Sequence, residues 1–60
     1  MPRTLTEQAE ASRDLARRAR RLAGELSSED DKARLLRHAL ELEDQAAALE
    51  RQAATGLRPQ

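Results

Sequence analysis

The side chains of this sequence that could take part in chemistry are one histidine, a row of arginines and scattered carboxylates. His38 is the only histidine, and Glu41 follows it at a spacing of nearly one helical turn. Two ligands make a poor metal site, and the Glu-x-x-His spacing of di-iron helical bundles is absent. We interpret His38 as a surface residue facing Glu25 and predict that the chain binds no metal and no cofactor.

Several classes of function lack the residues that they need. The chain has no cysteine and no aromatic residue, which removes disulfides, thiolate metal sites, base stacking, aromatic cages and aromatic membrane anchors. No nucleophile stands beside a base, and no Gly-rich phosphate loop or pocket with paired carboxylates is evident. We therefore predict that the protein is not an enzyme.

Four arginines form a basic stripe on the outer face of the first predicted helix: Arg13, Arg17, Arg20 and Arg21. Such a stripe could contact the phosphates of RNA. The alternative is a solvated face, because Glu10 and Asp14 lie within one turn. Basic and acidic residues balance at 11 each, with a net charge of +2 over residues 1–26 and −2 over residues 27–60. We favour the solvated face, with opposite charges drawing two helices together.

Two capping patterns predict where helices begin. Thr4 and Glu7 form a T-x-x-E capping box, so the first helix should run from about residue 5 to about 26. Gly24 could end it earlier in a left-handed conformation, but Leu26 continues the apolar pattern. Ser28 before three acids predicts a second helix from about 29 to 54. Gly56 should follow it as a left-handed C′ residue, and residues 57–60 should fray.

Apolar and small residues recur at steps of three and four along both helices, which indicates that each has one buried face. The two predicted faces are Leu5, Gln8, Ser12, Leu15, Ala19, Leu22 and Leu26, and Leu35, Ala39, Leu42, Ala46, Leu49 and Ala53. An antiparallel hairpin that pairs residues whose numbers sum to 61 places large side chains opposite small ones in most layers. Five leucines should hold it together: Leu15, Leu22, Leu35, Leu42 and Leu49. Gln8 and Ser12 would either fix the register or mark looser packing.

A helical hairpin of 60 residues buries so little apolar surface that a single copy is difficult to stabilise without further contacts. Apolar residues outside the predicted seam indicate a further interface. The fold class that we predict is all-α: one domain over residues 1–60, an antiparallel helical hairpin that dimerises into a four-helix bundle. The dimer interface would contain Ala16, Ala23, Leu36, Leu40 and Ala47. A different protein could instead complete the core.

A cysteine-free helical hairpin of this length, with alternating leucine and small core layers, resembles the Rop (Rom) family. The resemblance implies a four-helix-bundle homodimer that modulates the pairing of two complementary RNAs. Rop-like proteins carry a phenylalanine on the RNA-facing surface of their first helix, and this chain has no aromatic residue there. The sequence is also similar in style to short uncharacterised bacterial hairpins, a similarity that implies no activity.

No apolar run approaches the roughly 20 residues of a membrane span, and the amino terminus has no apolar signal core. We therefore expect a cytoplasmic protein without membrane contact. The preference for arginine over lysine, together with abundant alanine, hints at a GC-rich bacterial genome. The function that we predict is that of a small, non-enzymatic interaction or adaptor protein, with RNA binding through the arginine stripe as the alternative.

Overall fold

The computed structural model describes residues 4–56, and the predicted fraying of residues 57–60 lies outside them. The two helices are α1 (Leu5–Glu25) and α2 (Glu29–Gly56), which pack against each other as a hairpin. The prediction of an all-α helical hairpin is therefore confirmed. The described residues form a rod of about 50 × 18 × 12 Å.

Both helix starts are capped as the sequence predicts. The Thr4 hydroxyl accepts a hydrogen bond from the Glu7 amide at 3.0 Å, and the Ser28 hydroxyl accepts one from the Asp31 amide at 3.3 Å. In the capping box, the Glu7 carboxylate accepts a hydrogen bond from the Thr4 hydroxyl at 3.2 Å. In the usual capping box, this carboxylate accepts from the backbone amide of the cap residue instead. These contacts satisfy amides that have no partner within the helix.

The helix ends differ slightly from the predicted ones. Leu26 adopts an extended conformation and caps α1, with its amide donating to the Ala23 carbonyl at 3.3 Å. Gly24 does not end α1 early: it lies within the helix and has no left-handed conformation. The prediction that α2 stops near residue 54 is two residues short, because Gly56 is its last residue rather than the residue that follows it.

The seam between the helices is a seven-residue repeat dominated by alanine. Its α1 side consists of Leu5, Ala9, Ser12, Ala16, Ala19 and Ala23, and its α2 side of Leu35, Ala39, Leu42, Ala46, Leu49 and Ala53. Both sides advance by alternating steps of three and four, the spacing of an antiparallel coiled coil. The buried cluster at its centre joins Ala16 and Ala19 to Ala39 and Leu42. Alanine on both sides lets the helices approach closely.

The predicted face of α1 is wrong in part. Leu15 and Leu22 were expected to hold the hairpin, yet they are 49% and 53% exposed. Ala16 and Ala23, which were expected at a dimer interface, are instead buried within the hairpin. Leu15 and Ala16 belong to faces about 100° apart that share the same spacing, so periodicity alone did not decide between them.

Because α1 is rotated so that its alanines face α2, the core of the hairpin consists mostly of small side chains. Six of the seven buried hydrophobic residues are alanines, and Leu42 is the only buried leucine among the described residues. Burial of one methylene-sized group contributes about 0.8 kcal/mol, whereas a fully buried leucine contributes about 1.5–3 kcal/mol. The hairpin therefore leaves much of its leucine surface unburied.

Candidate interaction surface

One flank of the seam is closed by two ion pairs between the helices. Arg13 donates to both carboxylate oxygens of Glu50, at 3.2 and 2.5 Å, and Arg20 donates to both of Glu43, at 3.3 and 2.6 Å. Each pair joins residues whose numbers sum to 63, two more than in the predicted register. Since the guanidinium fork matches a carboxylate geometrically, the two pairs, one heptad apart on each helix, fix the register of the hairpin.

This flank changes the interpretation of the arginine stripe. Three of its four members have carboxylate partners: Arg13 and Arg20 bind α2, and Arg17 pairs with Asp14 on its own helix. Arg21 takes part in none of the ion pairs found among the described residues. Most of the positive charge that could meet phosphate is therefore balanced within the chain.

The same ion pairs predict how stability depends on pH. Hydrogen bonds from Arg20 and Arg13 lower the pKa of Glu43 and Glu50 below the ordinary value of 4.5. A carboxyl group with a lowered pKa stabilises the folded state above its unfolded pKa, and this contribution is lost as the pH falls through the folded pKa. We expect the melting temperature to decrease below about pH 4.5.

Circular dichroism melts at a series of pH values measure this decrease. The double variant Glu43→Gln and Glu50→Gln keeps the side-chain shape but removes both titrating groups, so its melting temperature should fall less steeply with acid. Equal acid dependence in the variant and the unmodified protein would show that the two ion pairs make no titratable contribution.

Four leucines remain on the surface: Leu15, Leu22, Leu36 and Leu40, which are 40–55% exposed. Leu36 lies one heptad before Glu43, so it shares the flank of the ion pairs. Leu15 and Leu22 each precede a buried alanine, Ala16 and Ala23, and lie on the opposite flank of the seam. Each broad face of the hairpin therefore takes its leucines from one helix only.

We define two apolar surfaces from this arrangement. The helix-one stripe consists of Leu15 and Leu22, and the helix-two stripe consists of Ala33, Leu36, Leu40 and Ala47. In a four-helix bundle of stacked hairpins, both helices of each hairpin contribute apolar residues to one face. Because the two stripes lie on opposite faces of the hairpin, no single face has leucines from both helices.

The described residues offer little for chemistry besides these stripes. They contain no cluster of three or more potential metal-ligating side chains, and none of their helices is long and apolar enough to span a bilayer. His38 is exposed on the helix surface. A depression of about 300 Å³ beside Leu22, lined by Arg18, Arg21 and Glu25, is open and lies on α1 alone. Its lining contains no nucleophile with an adjacent base.

The chain matches no family model, no curated protein and no solved structure. The two-helix architecture agrees with the resemblance to Rop, but no matched sequence or structure connects the chain to that family. Functional inference therefore depends on the exposed stripes and the charges around them.

Proposed function

We propose that this protein is a small, non-enzymatic interaction protein that works as a homodimer of helical hairpins. The observation that carries the proposal is the contrast between its seam and its surface. The seam buries alanines almost exclusively, while four leucines stay 40–55% exposed. Covering part of this leucine surface with a second copy supplies apolar burial that one hairpin lacks.

The structure changes which residues would form the dimer. Ala16 and Ala23 are buried in the seam, and they drop out of the interface. Leu36 and Leu40 are exposed and Ala47 is half-buried, so these three remain. In the dimer that we propose, the two copies therefore make contact along a single stripe of each, and they do not form a stacked four-helix bundle.

An RNA-binding role has less support from the geometry. Arg13 and Arg20 would have to leave Glu50 and Glu43 before meeting phosphate. No aromatic side chain is available to stack on a base. A self-associating hairpin requires no such rearrangement.

Thermal unfolding at several protein concentrations tests the proposal. For a folded dimer that dissociates on unfolding, mass action makes the melting temperature rise with protein concentration. We expect this rise in circular dichroism melts over a hundredfold concentration range. A cooperative helical melt at a constant temperature would contradict the homodimer.

A further inference from the structure

A second pattern on α2 lies beside the helix-two stripe. Four charged residues recur every seven positions with alternating sign, and we call them the charge row: Asp30, Arg37, Asp44 and Arg51. Residues seven apart occupy nearly the same position around a helix, so the row runs along one line of α2. All four residues are exposed.

Apart from Asp30, which is one of the three acids in the first turn of α2, the charge row has no evident role within the hairpin. The ion pairs among the described residues use Arg13, Arg17, Arg20 and Lys32 as cations, with acidic partners that all lie outside the row. Arg37 and Asp44 lie three residues before and four residues after Leu40, so they flank it on adjacent helical turns. Leu40, at 55%, is the most exposed of the large hydrophobic residues that the structure describes.

From this arrangement we propose that a second copy of the chain binds the helix-two stripe in antiparallel orientation, with Leu40 at the twofold axis. This inference rests on the proposed homodimer and specifies its interface. Read from its other end, a row of signs − + − + becomes + − + −. An antiparallel copy therefore places Asp30 beside Arg51 of the partner subunit, and Arg37 beside Asp44 of the partner subunit.

Other arrangements bring like charges together. In parallel orientation without a shift, the charge row faces the other flank of the partner's stripe, so Asp44 lies beside Glu43 of the partner subunit and Arg37 beside Leu36 of the partner subunit. An antiparallel copy shifted by one heptad pairs Asp30 with Asp44 of the partner subunit, and Arg37 with Arg37 of the partner subunit. Since like charges across an interface oppose association, the row selects one orientation and one register over its neighbours.

The selected register also suits the apolar residues. It places Leu40 beside Leu40 of the partner subunit and Ala33 beside Ala47 of the partner subunit. Leu36 lies beside the partner subunit's Glu43. Within each copy, Glu43 already forms an ion pair with Arg20 at 2.6 Å. Exposed ion pairs contribute little affinity, so the leucines supply the attraction and the charge row supplies the alignment.

The helix-one stripe suits a second copy less well. Arg18 lies midway between Leu15 and Leu22 on the helical repeat. An antiparallel copy that pairs Leu15 with Leu22 of the partner subunit brings two Arg18 side chains together near the axis. Like charges at the centre of a small interface disfavour it. The second copy therefore occupies the helix-two stripe.

Two complementary variants test the register. The acidic variant, Arg37→Glu with Arg51→Glu, makes all four positions of the charge row negative. The basic variant, Asp30→Arg with Asp44→Arg, makes them all positive. Each variant alone should bind itself at least about tenfold more weakly than the unmodified protein, because every cross-subunit pair becomes repulsive. A 1:1 mixture should restore the dimer mass, because every pair becomes attractive again.

Native mass spectrometry and sedimentation equilibrium of the separate and mixed variants give the readout. Restoration on mixing does not require that either variant folds alone. The control Arg21→Glu with Arg34→Glu changes the net charge as the acidic variant does, but outside the row, and should remain dimeric. Variants that associate as strongly as the unmodified protein, or a mixture that stays monomeric, would overturn the register. An unmodified protein that is itself monomeric would instead overturn the homodimer.

Discussion

Replacing Leu40 with glutamate is expected to convert the dimer into monomer. In the proposed interface, two Leu40 side chains meet at the twofold axis, and full burial of a leucine contributes about 1.5–3 kcal/mol. The substitution removes both contributions and places two carboxylates at the contact, so the dissociation constant should rise by at least about 100-fold. Sedimentation equilibrium measures this change, and the melting temperature should decrease at the same time.

Leu22→Glu is the matched control for this substitution. Leu22 is 53% exposed, almost as much as Leu40, but it belongs to the helix-one stripe on the other flank. We expect the control to retain the mass of the unmodified protein. Equal loss of association in both variants would contradict a helix-two interface, as would a Leu40→Glu variant that stays dimeric.

Enlarging a seam alanine is expected to destabilise the hairpin itself. Ala46 is fully buried, and Ala16 on the other side of the seam is 1% exposed. A leucine at position 46 has no space unless the helices separate, and overpacking of this kind costs about 1–3 kcal/mol. Separation would also stretch the ion pair between Arg20 and Glu43. For a domain of this size, we expect the melting temperature to fall by about 5–20 °C.

Ala54→Leu provides the comparison for this variant. Ala54 lies on the exposed surface of α2, so the same enlargement meets no neighbour across the seam, and in the proposed dimer it lies beyond the residues that face the partner's α2. Its melting temperature should stay close to that of the unmodified protein. A melting temperature of Ala46→Leu that equals or exceeds that of Ala54→Leu would contradict close packing of the alanine layers.

The sequence predicts those features that depend on local chemistry. Thr4 and Ser28 are residue types that accept hydrogen bonds from amides at a helix start, and both do so here. The predicted register differs by only two residues from that of the ion pair between Arg20 and Glu43. The prediction comes this close because a short turn restricts how two helices can align. Capping and turn length are properties of neighbouring residues, so the sequence alone contains them.

The rotation of α1 depends on interactions across the hairpin, and periodicity did not predict it. The pairing of large side chains with small ones across the seam selects the face of Leu15, whereas the hairpin buries the face of Ala16. The heptad spacing of Arg13 and Arg20 against Glu43 and Glu50 was the available signal. If these arginines pair with these glutamates across the hairpin, the alanine face of α1 must lie in the seam.

The residues predicted for the dimer interface differ in their exposure. Leu36 and Leu40 are exposed on α2 as a surface for a partner requires, whereas Ala16 and Ala23 are buried. The sequence shows that apolar residues exceed what one seam can cover, but the choice of stripe depends on which face of each helix the hairpin uses. The alternating signs of the charge row become meaningful only once that face is known.

Sedimentation equilibrium of the unmodified protein shows whether two copies of this hairpin associate. The chain has a mass of 6.7 kDa. Over a concentration series, we expect the measured mass to rise from that of one chain towards twice that value and then to stay constant. A helical protein that keeps the mass of a single chain at every concentration would rule out the homodimer.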